Sequence, residues 1–322
     1  MSPHRFQSLH QLQLVVWFAL LTSVGAMAGA EANDCPEGDA VALEWLDKMS
    51  RSLRQISYQG VVTLQRDDDM QVMLITHSVD EGNSFERLTE LTGQGAQVER
   101  IAHPLKCVHP GDQILRLESL SEADRCGIAE QYRFSVAGDE LVAGRNAVRI
   151  VIQPRDMYRF GYVMALDEET GLLLKSQTIH HGKRTLETTQ FAHVSYSDVI
   201  PATGNSRVVH KALHPEPDET VSDTSVARPW SVAWLPHGFA PTDVALGNNG
   251  RRTYTDGLAV FSVFLEDISA ELVPGEGLVR QGGTMTYTRG RNLAGEPVLV
   301  TVIGEVPVNT ARMVADSVRW EQ

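Results

Sequence analysis

The sequence predicts an α+β protein in two parts, a large domain built on antiparallel sheet and a smaller mixed one. Three observations lead there. One amphipathic helix opens the globular part. After it the apolar period drops to the two-residue alternation of strands. That alternation then stops near residue 201 and resumes near residue 227. The 322 residues allow about two domains, and 42% hydrophobic with 21% charged residues is the composition of a globule.

Residues 1–28 are expected to be a secretory signal peptide rather than part of the fold. Arg5, His4 and His10 make a weakly basic start, Leu14 to Leu21 an apolar run, and Ala26-Met27-Ala28 a small-residue cleavage region. The apolar run is short for a bilayer span, so an uncleaved anchor is the weaker alternative. Secretion places Cys35, Cys107 and Cys126 in an oxidising compartment. Cys107 and Cys126 lie within one domain and are the expected disulfide, leaving Cys35 as the free thiol. Three reduced thiols are the alternative.

The large domain is placed at 36–200. Val41, Trp45, Leu46, Met49 and Leu53 recur at helical spacing with Glu44, Asp47, Lys48 and Arg51 between them. This predicts a helix ending near Gln55, with Asp39 as its cap. Strands follow at 61–65, 71–80, 84–91 and 96–102, the first pair joined by an exposed turn at Arg66-Asp67-Asp68-Asp69. Ser119 and Glu122 have capping-box spacing, predicting a short helix over about 120–131. Further strands are predicted at 132–136, 147–153, 162–166, 172–179 and 185–194. A long helix with a curved antiparallel sheet implies that the helix covers or plugs the concave face.

Residues 201–226 read as a linker, rich in Pro and lacking periodicity. The small domain is placed at 227–322. Strands are expected at 232–234, 258–264, 284–288 and 298–303, and a helix from Thr310 to Arg319 capped by Asn309, with Ala311, Val314 and Val318 on its apolar face.

Charge and motifs mostly exclude. The net charge is −13, and the leader contributes only Arg5 to it. Such a surface disfavours nucleic acid and offers no polybasic face to anionic headgroups. No nucleophile elbow, phosphate loop or His-Glu-x-x-His motif occurs. His180-His181 read as exposed turn residues and His77 as a hydrogen-bonded strand residue. Asp67-Asp68-Asp69 lacks the alternation of a calcium loop. The reading is therefore not an enzyme, with no catalytic residues, no metal and no cofactor.

What remains is binding. A curved sheet under a helix can enclose an apolar cavity suited to acyl chains, and Val62, Leu64, Val72 and Leu74 are its expected lining. Tyr158, Arg159, Phe160 and Tyr162, with Trp230, Trp234 and Phe239 near the domain junction, are the expected partner-binding residues. Core packing is the competing reading for the aromatics. Alanine at Tyr158, Arg159 and Tyr162 is expected to weaken partner binding and to leave folding largely intact.

Several segments resemble one known family. They include Ser57-Tyr58-Gln59-Gly60-Val61-Val62, Glu86-Arg87-Leu88-Thr89-Glu90-Leu91, Val142-Ala143-Gly144-Arg145, Tyr158-Arg159-Phe160-Gly161-Tyr162 and Leu166-Asp167-Glu168-Glu169-Thr170-Gly171. In the second domain they include Trp234-Leu235-Pro236-His237-Gly238-Phe239, Tyr254-Thr255-Asp256-Gly257-Leu258 and Gly304-Glu305-Val306-Pro307. Their order and spacing are similar to the MucB/RseB family of negative regulators of the sigma-E-type envelope stress response. Phe160 departs from the pattern, where Tyr is expected.

The resemblance implies a periplasmic protein whose N-terminal domain is a half-open antiparallel β-barrel with covering helices, like the LolA/LolB lipoprotein carriers. It implies as partner the periplasmic domain of an RseA/MucA-like membrane anti-sigma factor, shielded from regulated proteolysis while bound. Lipopolysaccharide or lipoprotein acyl chains are the implied release signal. Dimerisation stays open, as does a periplasmic lipid or lipoprotein carrier using the first domain alone.

Overall fold

The computed structural model describes residues 39–80, 83–92, 97–104, 127–181, 184–196, 210–211, 228–242, 250–268 and 275–321. All belong to one compact unit, Cys35–Gln322. The expected leader and Cys35, Cys107 and Cys126 lie outside the described residues, as does most of the expected helix over 120–131. Its last part is a 3-10 turn, Gly127–Glu130.

Helix α1 (Ala40–Gln55) starts where Asp39 Oδ1 accepts the N–H of Val41 at 3.0 Å and of Ala42 at 3.3 Å. This satisfies donors that the first turn leaves without a helical partner. Ala42, Leu46 and Met49 are buried, and they pack on Tyr132, Phe134, Val148, Ile150, Ile152, Tyr162, Met164 and Leu166. Burying a Leu or Met side chain contributes about 1.5–3 kcal/mol, so this seam holds the helix on the sheet.

The large sheet comprises β1 (Tyr58–Arg66), β2 (Asp69–Asp80), β3 (Asn83–Glu90), β4 (Gln97–Pro104), β5 (Tyr132–Val142), β6 (Arg145–Pro154), β7 (Gly161–Asp167), β8 (Leu173–His180), β9 (Arg184–Ser195) and β10 (His210–Lys211). Its order is β10-β4-β3-β2-β1-β9-β8-β7-β6-β5. Every pairing is antiparallel except β10 with β4. The order does not close on itself, so the domain is the expected half-open antiparallel barrel, and among the described residues one α-helix, α1, covers it. Strand β10 lies within the segment read as linker, so two residues there join the first sheet.

Cross-strand register decides which side chains share a face. Leu64 stands opposite Thr189, Thr189 opposite Ser176, Ser176 opposite Met164, and Met164 opposite Ile150. That ladder carries Leu64, and by alternation Val62, to the face on which α1 packs. Val72 stands opposite Thr63 and Leu74 opposite Val61. Directly paired residues point the same way, so Val72 and Leu74 lie on the other face. The expectation that all four line one cavity is thus corrected: only Val62 and Leu64 face inward. Under α1 the concave face is filled by the side chains that hold the helix.

The small domain has a six-stranded sheet in the order β12-β13-β14-β17-β16-β15. These are β12 (Ala240–Pro241), β13 (Arg251–Thr255), β14 (Val260–Asp267), β15 (Glu276–Gln281), β16 (Thr284–Leu293) and β17 (Glu296–Gly304). Helix α2 (Val308–Ser317) buries Thr310, Ala311, Val314 and Ala315. A short ribbon pairs β11 (Trp230–Val232) with β18 (Val318–Trp320). Two expectations are corrected here. Pro307, not Asn309, stands at the helix cap, and no side chain caps it. The helix ends at Ser317, because Val318 turns extended to pair with Val232.

Candidate functional site

The richest polar chemistry lies where the two domains meet. It starts from the bend 155–160 between β6 and β7. Asp156 Oδ1 accepts the N–H of Tyr158 at 2.9 Å, an Asx turn that bends the chain. The bend delivers Arg159 into the junction with its side chain wholly buried. Arg159 Nη1 donates to Asp256 Oδ2 at 2.9 Å, Nε lies 3.2 Å from Asp156 Oδ2, and Nη2 donates to the carbonyl of His237. The guanidinium lies 5.5 Å from the ring centre of Tyr132 and 5.1 Å from that of Phe239.

Asp256 follows β13 in the second domain. Its Oδ1 accepts the N–H groups of Leu258 at 3.0 Å and Ala259 at 2.8 Å, and Oδ2 accepts Tyr132 Oη–H at 2.9 Å besides Arg159. Burial pushes the Asp256 carboxyl above the usual carboxylate range, against the pull of the Arg159 guanidinium and the two N–H groups. Burial likewise pushes the Tyr132 phenol well above its ordinary value, with the Asp256 charge adding to the rise.

Around this pair the surfaces interlock. Gln131 Nε2 lies 3.1 Å from His237 Nδ1, and Thr310 Oγ1 donates to the Tyr158 carbonyl at 2.8 Å. The Tyr158 ring meets Trp234 edge-on with centroids 5.2 Å apart. Gly238 has φ +85°, and a Cβ there would fall 2.6 Å from Gln131 Cδ. Glycine alone suits both that backbone and that approach.

The seven expected partner-binding residues therefore separate. Tyr158, Arg159, Trp234 and Phe239 meet at the junction, against one another. Tyr162 is buried in the first-domain core; its hydroxyl, pushed well above the ordinary phenol value by burial, has no hydrogen-bond partner among the described residues. Phe160 is buried with its ring 5.8 Å from that of His180. Trp230 is in the second-domain core, with Arg252 stacked 5.1 Å above it. Phe160, Tyr162 and Trp230 thus pack cores, the competing reading for them. Asp256, Tyr132 and Asp156 were missed, for a buried arginine's partners need no fixed sequence spacing.

Other candidates are placed as well. His77 is buried, its Nδ1 2.8 Å from the Ile56 carbonyl and its ring stacked on Tyr58. A pocket of about 470 Å³ lies at the ends of β6, β7 and β8, among Val151, Gln153, Val163, Ile179, His180 and His181. Val151 and Val163 are paired and alternate with Ile150 and Met164, so they point away from α1. Among the described residues no group of His, Cys, Asp and Glu could hold a metal ion.

Residues 41–210 match the MucB/RseB N-terminal domain, and residues 224–319 the MucB/RseB C-terminal domain. The chain belongs to the MucB/RseB family. Arg159 falls within the first match and Asp256 within the second, so their ion pair joins the two family domains. The sigma factor AlgU regulatory protein MucB of Pseudomonas aeruginosa is 31% identical over 315 residues, covering 94% of this chain and 97% of that relative. The sigma-E factor regulatory protein RseB of Haemophilus influenzae is 26% identical, covering 87% and 91%. A crystal structure of MucB in complex with the periplasmic part of MucA superposes with a TM-score of 0.68 at 31% identity, covering 88% of this chain and all of that one.

Proposed function

We propose that this MucB/RseB-family chain is a periplasmic regulator that binds the periplasmic domain of an RseA/MucA-like anti-sigma factor. Bound there, it shields that factor from regulated proteolysis, and a lipidic envelope-stress signal releases it. The observation that carries this reading is the likeness, over both domains, to a MucB chain seen with the periplasmic part of MucA. It acts by binding and not by catalysis. Its mature chain starts after a leader at 1–28, with domains at 36–200 and 227–322.

Two domains joined by a buried ion pair present one composite surface. A partner reading that surface depends on their mutual placement. A lipid that binds one arrangement better than another shifts the population between them, and so changes partner affinity. Val62 and Leu64 are the inward-facing candidates for acyl contact.

The test is calorimetric titration of the mature chain with the periplasmic domain of an RseA/MucA-like protein, then of the preformed complex with lipopolysaccharide. Binding, and its loss on adding lipopolysaccharide, are expected. Absence of binding overturns the regulator, and an unchanged affinity in lipopolysaccharide overturns the lipid release.

A further inference from the structure

A second polar contact joins the domains. Glu187, on β9, reaches the turn between β15 and β16. Its Oε2 accepts the N–H of Gly283 at 3.1 Å and lies 3.3 Å from Arg66 Nε. Gly282 has φ +59°, and a Cβ there would fall 2.4 Å from Glu187 Oε2. The glycine turn thus seats directly on this carboxylate, whose side chain is only 13% exposed.

Glu305 comes to the same turn from the other side. Gly304 ends β17 opposite Met285, one residue from Thr284, and Glu305 is the next residue of the chain. Its own N–H donates to the Val260 carbonyl at 2.9 Å, which ties it to the strand after Asp256. Glu187 and Asp256 thus make contacts across the junction, and Glu305 feels the charge of both. Two cations face them. Arg66 is taken by Glu187 and Arg159 by Asp256. Among the described residues no ion pair reaches Glu305.

We infer that Glu305 is a proton-sensing group whose ionisation opposes the charge of Glu187 across the junction and loosens the docking of the two domains.

The electrostatics agree with that geometry. Burial chiefly, and then the Glu187 charge, push the Glu305 carboxyl up to about 7, with Arg66 pulling against them and Asp256 adding to the rise. The other titratable groups facing this space are Tyr162, whose phenol feels Glu305, and Tyr132, which donates to Asp256. Both stay neutral well past neutral pH. Asp256 has Arg159 beside it, and Glu305, with no ion pair among the described residues, is the carboxylate left to change charge there.

Docking raises the proton affinity of Glu305, so a proton on it favours docking. The advantage is complete below the ordinary carboxylate range and is lost as pH rises through about 7. Acidification from pH 8 to pH 6 tightens the junction, and alkalinisation loosens it. This holds whatever partner the protein binds.

Hydrogen exchange of the full mature chain tests it, followed at the amides of the Gln281–Thr284 turn and corrected for the intrinsic pH dependence of exchange. Protection is expected to rise about tenfold from pH 8 to pH 6, the response of one proton coupled over about one pH unit. Glu305→Gln should hold the high protection at both pH values. If it keeps the native pH response, the inference falls.

Glu187→Gln keeps an acceptor for Gly283 but removes the opposing charge and frees Arg66. Its transition should move to lower pH. A transition that stays in place in that variant also overturns the inference, even if Glu305→Gln does not fold.

Discussion

Arg159 and Asp256 meet at 2.9 Å with both side chains fully buried, one from each domain. Taking two charges out of water costs several kcal/mol each, and the cost is offset here by their attraction and by the hydrogen bonds of Asp256 and of Arg159 Nη1 and Nη2, while Arg159 Nε makes none among the described residues. Asp256 accepts four hydrogen bonds, and Arg159 has two carboxylates, a carbonyl and two aromatic faces around it. Removing one partner leaves the other charged and buried. Arg159→Ala and Asp256→Ala are each expected to cost about 3–5 kcal/mol. Urea unfolding should show this as a lower midpoint or a split transition. A change below about 1 kcal/mol would sink the role given to the pair. The sequence-based expectation that Arg159→Ala leaves folding intact is corrected by this burial.

Tyr162 predicts the opposite behaviour. Its hydroxyl is buried with no partner among the described residues, so it has already lost its hydrogen bonds to water. Removing an unsatisfied buried group while keeping the ring relieves that cost. Tyr162→Phe is expected to be neutral or to stabilise by about 1 kcal/mol, whereas Tyr132→Phe loses a bond to Asp256 and destabilises. Thermal denaturation of the two variants side by side decides it. Equal losses would show that Tyr162 has a partner after all.

Much of this fold is legible in the sequence, and the errors have physical causes. Asp39 and the spacing of Leu46 and Met49 give α1 directly, since both signals are local. Strands β1 and β2 are legible for the same reason. Their relative faces were misread although the signal was present. A tight turn at Asp67–Asp68 pairs Arg66 with Asp69, and even-numbered residues of β1 then pair with odd-numbered ones of β2. Val62 and Val72 must therefore point apart. Strand β15 was missed because every residue in it is exposed, so no alternation marks it. The junction was the least legible part. Arg159 and Asp256 are 97 residues apart, and only the fold brings them together.

The loop after β7 carries an acid-sensitive lock. Asp167 Oδ1 accepts the N–H groups of Glu169 at 2.9 Å and Thr170 at 3.0 Å, while Arg145 and Tyr196 Oη donate to Oδ2. Burial alone would raise this carboxyl, but the Arg145, Thr170 and Tyr196 bonds outweigh it and hold it below the usual range. A lowered folded value means the stabilisation is present above about pH 4, the ordinary Asp value, and is lost as pH falls further. Asp167→Asn should lose stability at pH 7 and narrow its gap from the native protein below pH 4. A gap that stays constant with pH contradicts the assignment.

The two faces of the β1–β2 hairpin make the lipid proposal specific. Val62 and Leu64 face the helix side, and Val72 and Leu74 the opposite side. If acyl chains enter the concave face, Val62→Ser with Leu64→Ser should weaken binding of a fluorescent fatty acid by roughly tenfold or more, about 1.4 kcal/mol, from lost apolar burial. Val72→Ser with Leu74→Ser should leave binding within about twofold, because those side chains never meet the ligand. Equal weakening by both pairs would mean the chain binds elsewhere, and the pocket beside His180 would be the next site to substitute. Val62 is also part of the core, so fluorescence must be read alongside unfolding midpoints. A binding loss that tracks stability in both double variants would remove the concave face from the mechanism.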